Sequence, residues 1–160
     1  MDSLIIRKME KKDLKEVLNI YKEGIETGMA TFETIVPNEQ VWDDRHHEAL
    51  RFVVEEHNRV VGWISISPVS TRAVYSGVGE VSVYISSDHK GKGIASKLFK
   101  ILIEESEKVG FWTLQSSIFA INTSSIQLHK KMGFRVVGIR EKIAQLNGKW
   151  HDTVIMERRM

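Results

Sequence analysis

The stretch that most constrains this chain is EVSVYISSDHKGKGIASKLF, Glu80 to Phe99. Val81, Val83 and Ile85 alternate with Glu80, Ser82 and Tyr84, which is the period of a strand. A long helix follows, from about Lys92 to Val109, with Leu98, Ile101, Leu102 and Ile103 in a wide apolar stripe. Gly91 and Gly93 lie at the junction with Lys90 and Lys92, and Lys97 and Ser96 follow within the first helical turn. A helix start exposes unpaired N–H groups and the positive end of the helix dipole, so glycine and lysine gathered there suit an anion. The competing reading is a solvated basic turn that only begins a helix.

Composition narrows what else the chain can be. Its 160 residues are read as one domain, 1–160, with a sizeable single core. Hydrophobic residues at 42% and charged residues at 28% are the balance of a soluble globular protein. No apolar run reaches the ~20 residues of a membrane span, and the opening MDSLIIRKMEKKD lacks a signal-peptide layout. A cytoplasmic protein with no membrane partner is therefore expected. Cysteine is absent, which removes disulfides, thiolate metal sites and a cysteine nucleophile together. A net charge of +2 gives no argument for nucleic acid. The six histidines show no metal-ligand spacing, so no metal is expected.

Periodicity predicts the remaining elements. Leu4–Met9 reads as a short strand, and Leu14, Val17, Leu18, Tyr21 and Ile25 as the apolar face of a helix. Residues 27–37 carry Gly28 and Pro37 without a clean period and read as a loop, after which Asn38 caps a second helix. A hairpin spans Arg51 to Val69 through His57–Asn58–Arg59. A strand over Phe111–Phe119 precedes a helix capped by Asn122 and closed by Gly133. Two last strands flank Asn147–Gly148, a strong hairpin turn. The order β-α-α-β-β-β-α-β-α-β-β describes a mixed sheet with helices packed on it, an α/β or α+β domain.

Three named anion loops compete at Lys90–Ser96. A nucleotide P-loop needs Gly-Lys-Ser/Thr at its close, which is missing. A dinucleotide fingerprint needs a third glycine where Ser96 stands. Lys90-Gly91-Lys92-Gly93-Ile94-Ala95 instead resembles the acetyl-CoA pyrophosphate loop of the GNAT acyltransferase superfamily, with lysine in place of the usual first residue. The resemblance extends through FAINTSSIQLHKKMGFRVVG and GKWHDTVIMERRM, nearly the full chain. Within the superfamily, IYKEGIETGMATFE and SPVSTRAVYSGVGEVSVYI are most similar to the phosphinothricin/methionine-sulfoximine N-acetyltransferase group.

This resemblance implies a mainly antiparallel twisted sheet with splayed central strands, and transfer of acetyl from acetyl-CoA to the primary amine of a small amino acid or analogue. A protein or peptide N-terminus as acceptor, or an acyl-CoA-binding module without catalysis, remain the alternatives. Pantetheine is expected along Val81, Val83 and Ile85, with pyrophosphate on Lys90, Gly91, Lys92, Gly93, Ile94, Ala95 and Ser96. Asn122 and Ser125 read as helix cap and first turn, and also as contacts of the coenzyme arm. Glu80 corresponds to the acid that serves as general base, against its plain reading as a surface residue at a strand end. His129 stands where many relatives place a tyrosine that reprotonates the leaving thiolate; it reads equally as a half-buried structural residue. Phe32, Glu33, Arg72 and Tyr75 are the expected acceptor contacts, the arginine for a carboxylate and Glu33 for an ammonium. A homodimer is implied as well.

Overall fold

The computed structural model describes residues 3–160. The strands are β1 (Leu4–Lys8), β2 (Arg51–Glu56), β3 (Arg59–Pro68), β4 (Val78–Ile85), β5 (Thr113–Phe119), β6 (Arg135–Leu146) and β7 (Lys149–Arg159). The helices are α1 (Leu14–Glu26), α2 (Glu39–Arg45), α3 (Ile94–Val109) and α4 (Thr123–Lys131). This is the element order that the periodicity predicts. The strands form one seven-stranded sheet in the order β1-β2-β3-β4-β5-β7-β6. Neighbours are antiparallel except β4 and β5, which run parallel, as strands joined by a helical crossover must.

Alternation along the strands loads both faces of the sheet. Val53, Val60 and Trp63 meet Leu14, Val17 and Ile20 of α1 and Trp42 of α2 on one side. Phe52, Val54, Ile64, Ile66 and Leu114 meet Leu98, Phe99 and Leu102 of α3 on the other. Each fully buried side chain of this kind contributes roughly 1.5–3 kcal/mol. Close approach matters on the α1 face. A Cβ on Gly24 would lie 2.5 Å from the Tyr84 ring, so only glycine lets α1 settle there.

Several boundaries depart from expectation for local reasons. α3 starts at Ile94, not Lys92, because Gly91 and Gly93 have φ of +80° and +76°, outside helical space. β5 starts at Thr113, not Phe111: Phe111 N–H bonds back to Ser106 O and closes the helix instead. β4 begins two residues before Glu80, and a short 3-10 turn, Ala73–Tyr75, interrupts the loop ahead of it. The first hairpin turns on His57 and Asn58 alone, with φ of 53° and 66°, and Arg59 already pairs with Glu56.

The feature that positions the site is a fork. β4 and β5 pair only at Val78↔Thr113, Gly79↔Leu114 and Glu80↔Gln115. Both strands then continue, to Ile85 and Phe119, without pairing to each other.

Candidate active site

The fork opens into a cleft of about 800 Å³. Its walls are β4 from Glu80 to Ile85, β5 from Ser116 to Phe119, the start of α3, the α4 residues Ser125 and His129, and Thr27–Glu33 of the loop after α1. Its two ends differ in chemistry.

At the outer end the chain turns through Lys90 to Gly93 into α3. α2 and α4 are capped by Asn38 and Asn122, whose side-chain oxygens accept from Val41 and Ser125 amides at 2.9 and 3.3 Å. α3 has no such cap: its N-cap residue is Gly93, and no acidic residue sits in its first turn. Its N-cap residue therefore offers the first amides no side-chain acceptor, at the positive end of the dipole. A Cβ at Gly91 or Gly93 would meet no protein atom within 4 Å, so these glycines serve backbone conformation and open space, not internal packing. The Ile94 side chain is in the core, 1% exposed, so only its backbone can serve a ligand. Lys92 is exposed and does not line the cleft, whereas Lys90, Gly91, Gly93, Ala95 and Ser96 do.

Glu80 sits at the apex, on the last rung that β4 shares with β5. Its carboxylate makes no hydrogen bond or salt bridge among the described residues. Burial pushes it above the usual carboxylate range, and the positive charge of Arg140 pulls against that. Val81 is buried, and Val83 and Ile85 pack against the same core, so along this strand the backbone is what faces a ligand.

Ser116 and His129 form a buried pair across the cleft wall, Oγ to Nε2 at 2.9 Å. Asn122 caps α4 and also donates from Nδ2 to Met29 O at 3.4 Å, tying α4 to the loop after α1. Phe32 packs on Phe119, ring centroids 4.5 Å apart, and Glu33 lies 3.8 Å from Arg45. Arg72 and Tyr75 are elsewhere. Arg72 lies over the Tyr75 ring at 5.6 Å, on the loop that enters β4 where the strands are still paired, and neither residue lines the cleft. The fork opens only beyond Glu80, which is why the loop before β4 falls outside it.

Sequence reasoning passed over Ser116, Tyr84 and Thr153, all of which line the cleft. Thr153 Oγ1 is buried without a hydrogen-bond partner, a polar atom left for a ligand or water. For Ser116 a signal existed: it interrupts the apolar alternation of Leu114 and Ile118 with a hydroxyl.

A mixed sheet forked at its single parallel junction, with an uncapped helix start at the mouth and a carboxylate at the apex, suits an acyl-transfer enzyme. The chain belongs to the GNAT acetyltransferase family: the model of the acetyltransferase (GNAT) domain matches residues 6–155. An L-methionine sulfoximine/L-methionine sulfone acetyltransferase of Pseudomonas aeruginosa is 30% identical over 161 residues, 97% of this chain and 94% of that protein. Among solved structures, a phosphinothricin acetyltransferase from Sinorhizobium meliloti in complex with AcCoA is 27% identical, with a TM-score of 0.89 over 99% of this chain and 89% of that one. A ribosomal-protein-alanine N-acetyltransferase from Brucella melitensis is 29% identical, with a TM-score of 0.91 over 98% and 99%. No group of three or more metal-ligating side chains occurs among the described residues.

Proposed function

We propose that this chain is an acetyl-CoA-dependent N-acetyltransferase acting on the primary amine of a small amino acid or analogue, of the methionine sulfoximine or phosphinothricin kind. The observation that carries this reading is Glu80, an unpartnered and partly buried carboxylate at the apex of the forked cleft. An ammonium with a pKa near ~10 must lose a proton before it can attack a thioester, and a carboxylate of raised basicity takes that proton directly or through water. The amides from Gly91 to Ser96 hold the pyrophosphate, with Lys90 as the counter-charge that lines the cleft. The backbone of Val81, Val83 and Ile85 pairs with the pantetheine, and Ser125 and Asn122 border its arm. Placing the thioester carbonyl beside the amine in this fork supplies the proximity term, and an unpaired N–H of β4 the oxyanion contact.

The loop after α1 favours a small acceptor over a peptide. Met29, Ala30, Thr31, Phe32 and Glu33 line the cleft, and Asn122 ties the loop to α4. Glu33 offers a charge for an ammonium, and Phe32 an apolar wall. The likeness to a ribosomal-protein-alanine N-acetyltransferase keeps a peptide N-terminus as the second reading. A thiol-release assay with acetyl-CoA decides between them. Turnover of free amino acids or methionine sulfoximine supports the first; turnover confined to peptides with a free N-terminus replaces it by the second. Coenzyme binding without any turnover would leave only a binding module.

The same proposal includes one domain over residues 1–160, a cytoplasmic setting and a homodimer. Val136, Val137, Ile139, Ile143 and Trp150 are each exposed on β6 and β7, apolar area that a second copy would cover in part. In a dimer, Arg72 and Tyr75 would be free to serve the partner's cleft. Light scattering on the purified protein tests the assembly, and a monomer at all concentrations removes it.

A further inference from the structure

His129 is 3% exposed, and its ring is held edge-on between Phe99 and Phe134, each centroid 5.0 Å away. Nδ1 lies 2.7 Å from Ser125 O, a carbonyl that can only accept, so Nδ1 carries the ring proton. Burial holds the imidazole below its ordinary value, against the opposing pull of that carbonyl, so the ring is neutral and Nε2 is bare. Ser116 Oγ, 2.9 Å away, therefore donates to Nε2. The histidine has no proton to offer the cleft directly. Both residues line the cleft, and Ser116 is the first β5 residue beyond Gln115, the last one paired to β4.

Proton balance gives this pair a task. An ammonium and a thioester become an amide, a thiol and one released proton, so nitrogen sheds two protons and sulfur gains one. Glu80 accounts for the first. We propose that Ser116 and His129 carry the second from nitrogen to sulfur, with Ser116 as the group that touches the reacting atoms and His129 acting through it. As the N–C bond forms, the nitrogen proton passes to Ser116 Oγ while the serine's own proton passes to His129 Nε2. The imidazolium keeps its Nδ1–H on Ser125 O. As the C–S bond breaks, the proton returns through Ser116 to the sulfur and the histidine is neutral again. One bond forms, one breaks, one proton moves, and no further reactant is needed. The inference rests on the acetyl transfer proposed above.

The test is Ser116→Ala, which removes one hydroxyl and leaves the packing intact, beside Ser116→Thr and His129→Gln. Ser116→Ala is expected to lower kcat by about 100-fold with little change in KM for either substrate. His129→Gln should lose about as much, the double variant little more than either single one, and Ser116→Thr should keep most of the rate. Nitrogen NMR of the histidine ring reads the pair without turnover. Nε2 should be unprotonated and hydrogen-bonded in the free enzyme, and its signal should shift in Ser116→Ala. Wild-type kcat in Ser116→Ala, or a protonated Nε2 in the free enzyme, overturns the relay while leaving acetyl transfer standing. A wild-type enzyme that binds acetyl-CoA but turns over no amine overturns both.

Discussion

Two withdrawn carboxylates in this molecule have opposite fates. Asp13, 3% exposed at the start of α1, takes a two-pronged bond from Arg7 at 2.8 and 2.9 Å and a third from the Glu10 amide at 2.7 Å. Arg7 in turn spans to Glu55 on β2, at 3.0 Å. Burial pushes Asp13 up, but the Arg7 and Glu10 bonds outweigh it and hold the carboxyl below its ordinary value. Glu80 has burial without partners, and is held above its ordinary value. The first carboxylate ties β1, β2 and α1 together, and its proton affinity is lowered. The second is a liability to the fold, and in the function proposed above it is the proton acceptor. What separates them is the number of donors the backbone and neighbours supply, not depth.

The largest effect expected from this contrast is on stability. Asp13→Ala leaves Arg7 short of its main partner in a mostly buried site and should cost about 3–5 kcal/mol, read by urea unfolding, with kcat of the folded fraction unchanged. A cost below about 1 kcal/mol would place the network among surface pairs and break the comparison. Glu80→Gln should do the reverse. It should lower kcat by about 100-fold, about 2.7 kcal/mol of barrier, with unaltered acetyl-CoA affinity by calorimetry and equal or higher thermal stability. Loss of stability in that variant would show that Glu80 is held by something the fold needs.

Acidity sharpens the same contrast with opposite signs. Asp13 has a depressed folded value, so its contribution is complete above the unfolded pKa of about 3.9 and is lost as pH falls through the folded one. Glu80 has a raised folded value, so its charged form works against folding above that value and the penalty lifts as pH falls. Only the unprotonated Glu80 accepts a proton, so kcat/KM should fall as pH drops through a midpoint above the ordinary carboxylate range, and the limb should vanish in Glu80→Gln. The smallest effect belongs to Arg140→Gln. Removing that positive charge should move the limb to still higher pH by a fraction of a unit, and a shift to lower pH would contradict its influence on Glu80.

Much of the fold was legible because its signals are local. Asn147–Gly148 turns the last hairpin as expected, and Asn38 and Asn122 cap the helices they precede. The glycine–lysine turn was legible too, since strand, loop and helix are contiguous. The cleft was legible only where one segment builds it. Ser116 and His129 meet although thirteen positions apart, and Thr153 reaches the fork from the last strand. No periodicity brings such residues together; sheet order does. Arg72 and Tyr75 show the converse, since adjacency in sequence to β4 did not bring them to its open end.

The fork has one further consequence. A sheet normally hides its unpaired backbone by ending in solvent, where another chain can find it. Here the two open margins, 81–85 and 116–119, face each other across a cleft in the middle of the sheet, bordered by helices and the loop after α1. A thin amide-bearing ligand lying between them would act as a surrogate strand and complete the sheet. Recognition then becomes an act of β-pairing, and the amides along those margins should exchange with solvent freely until the ligand fills the gap and slowly afterwards.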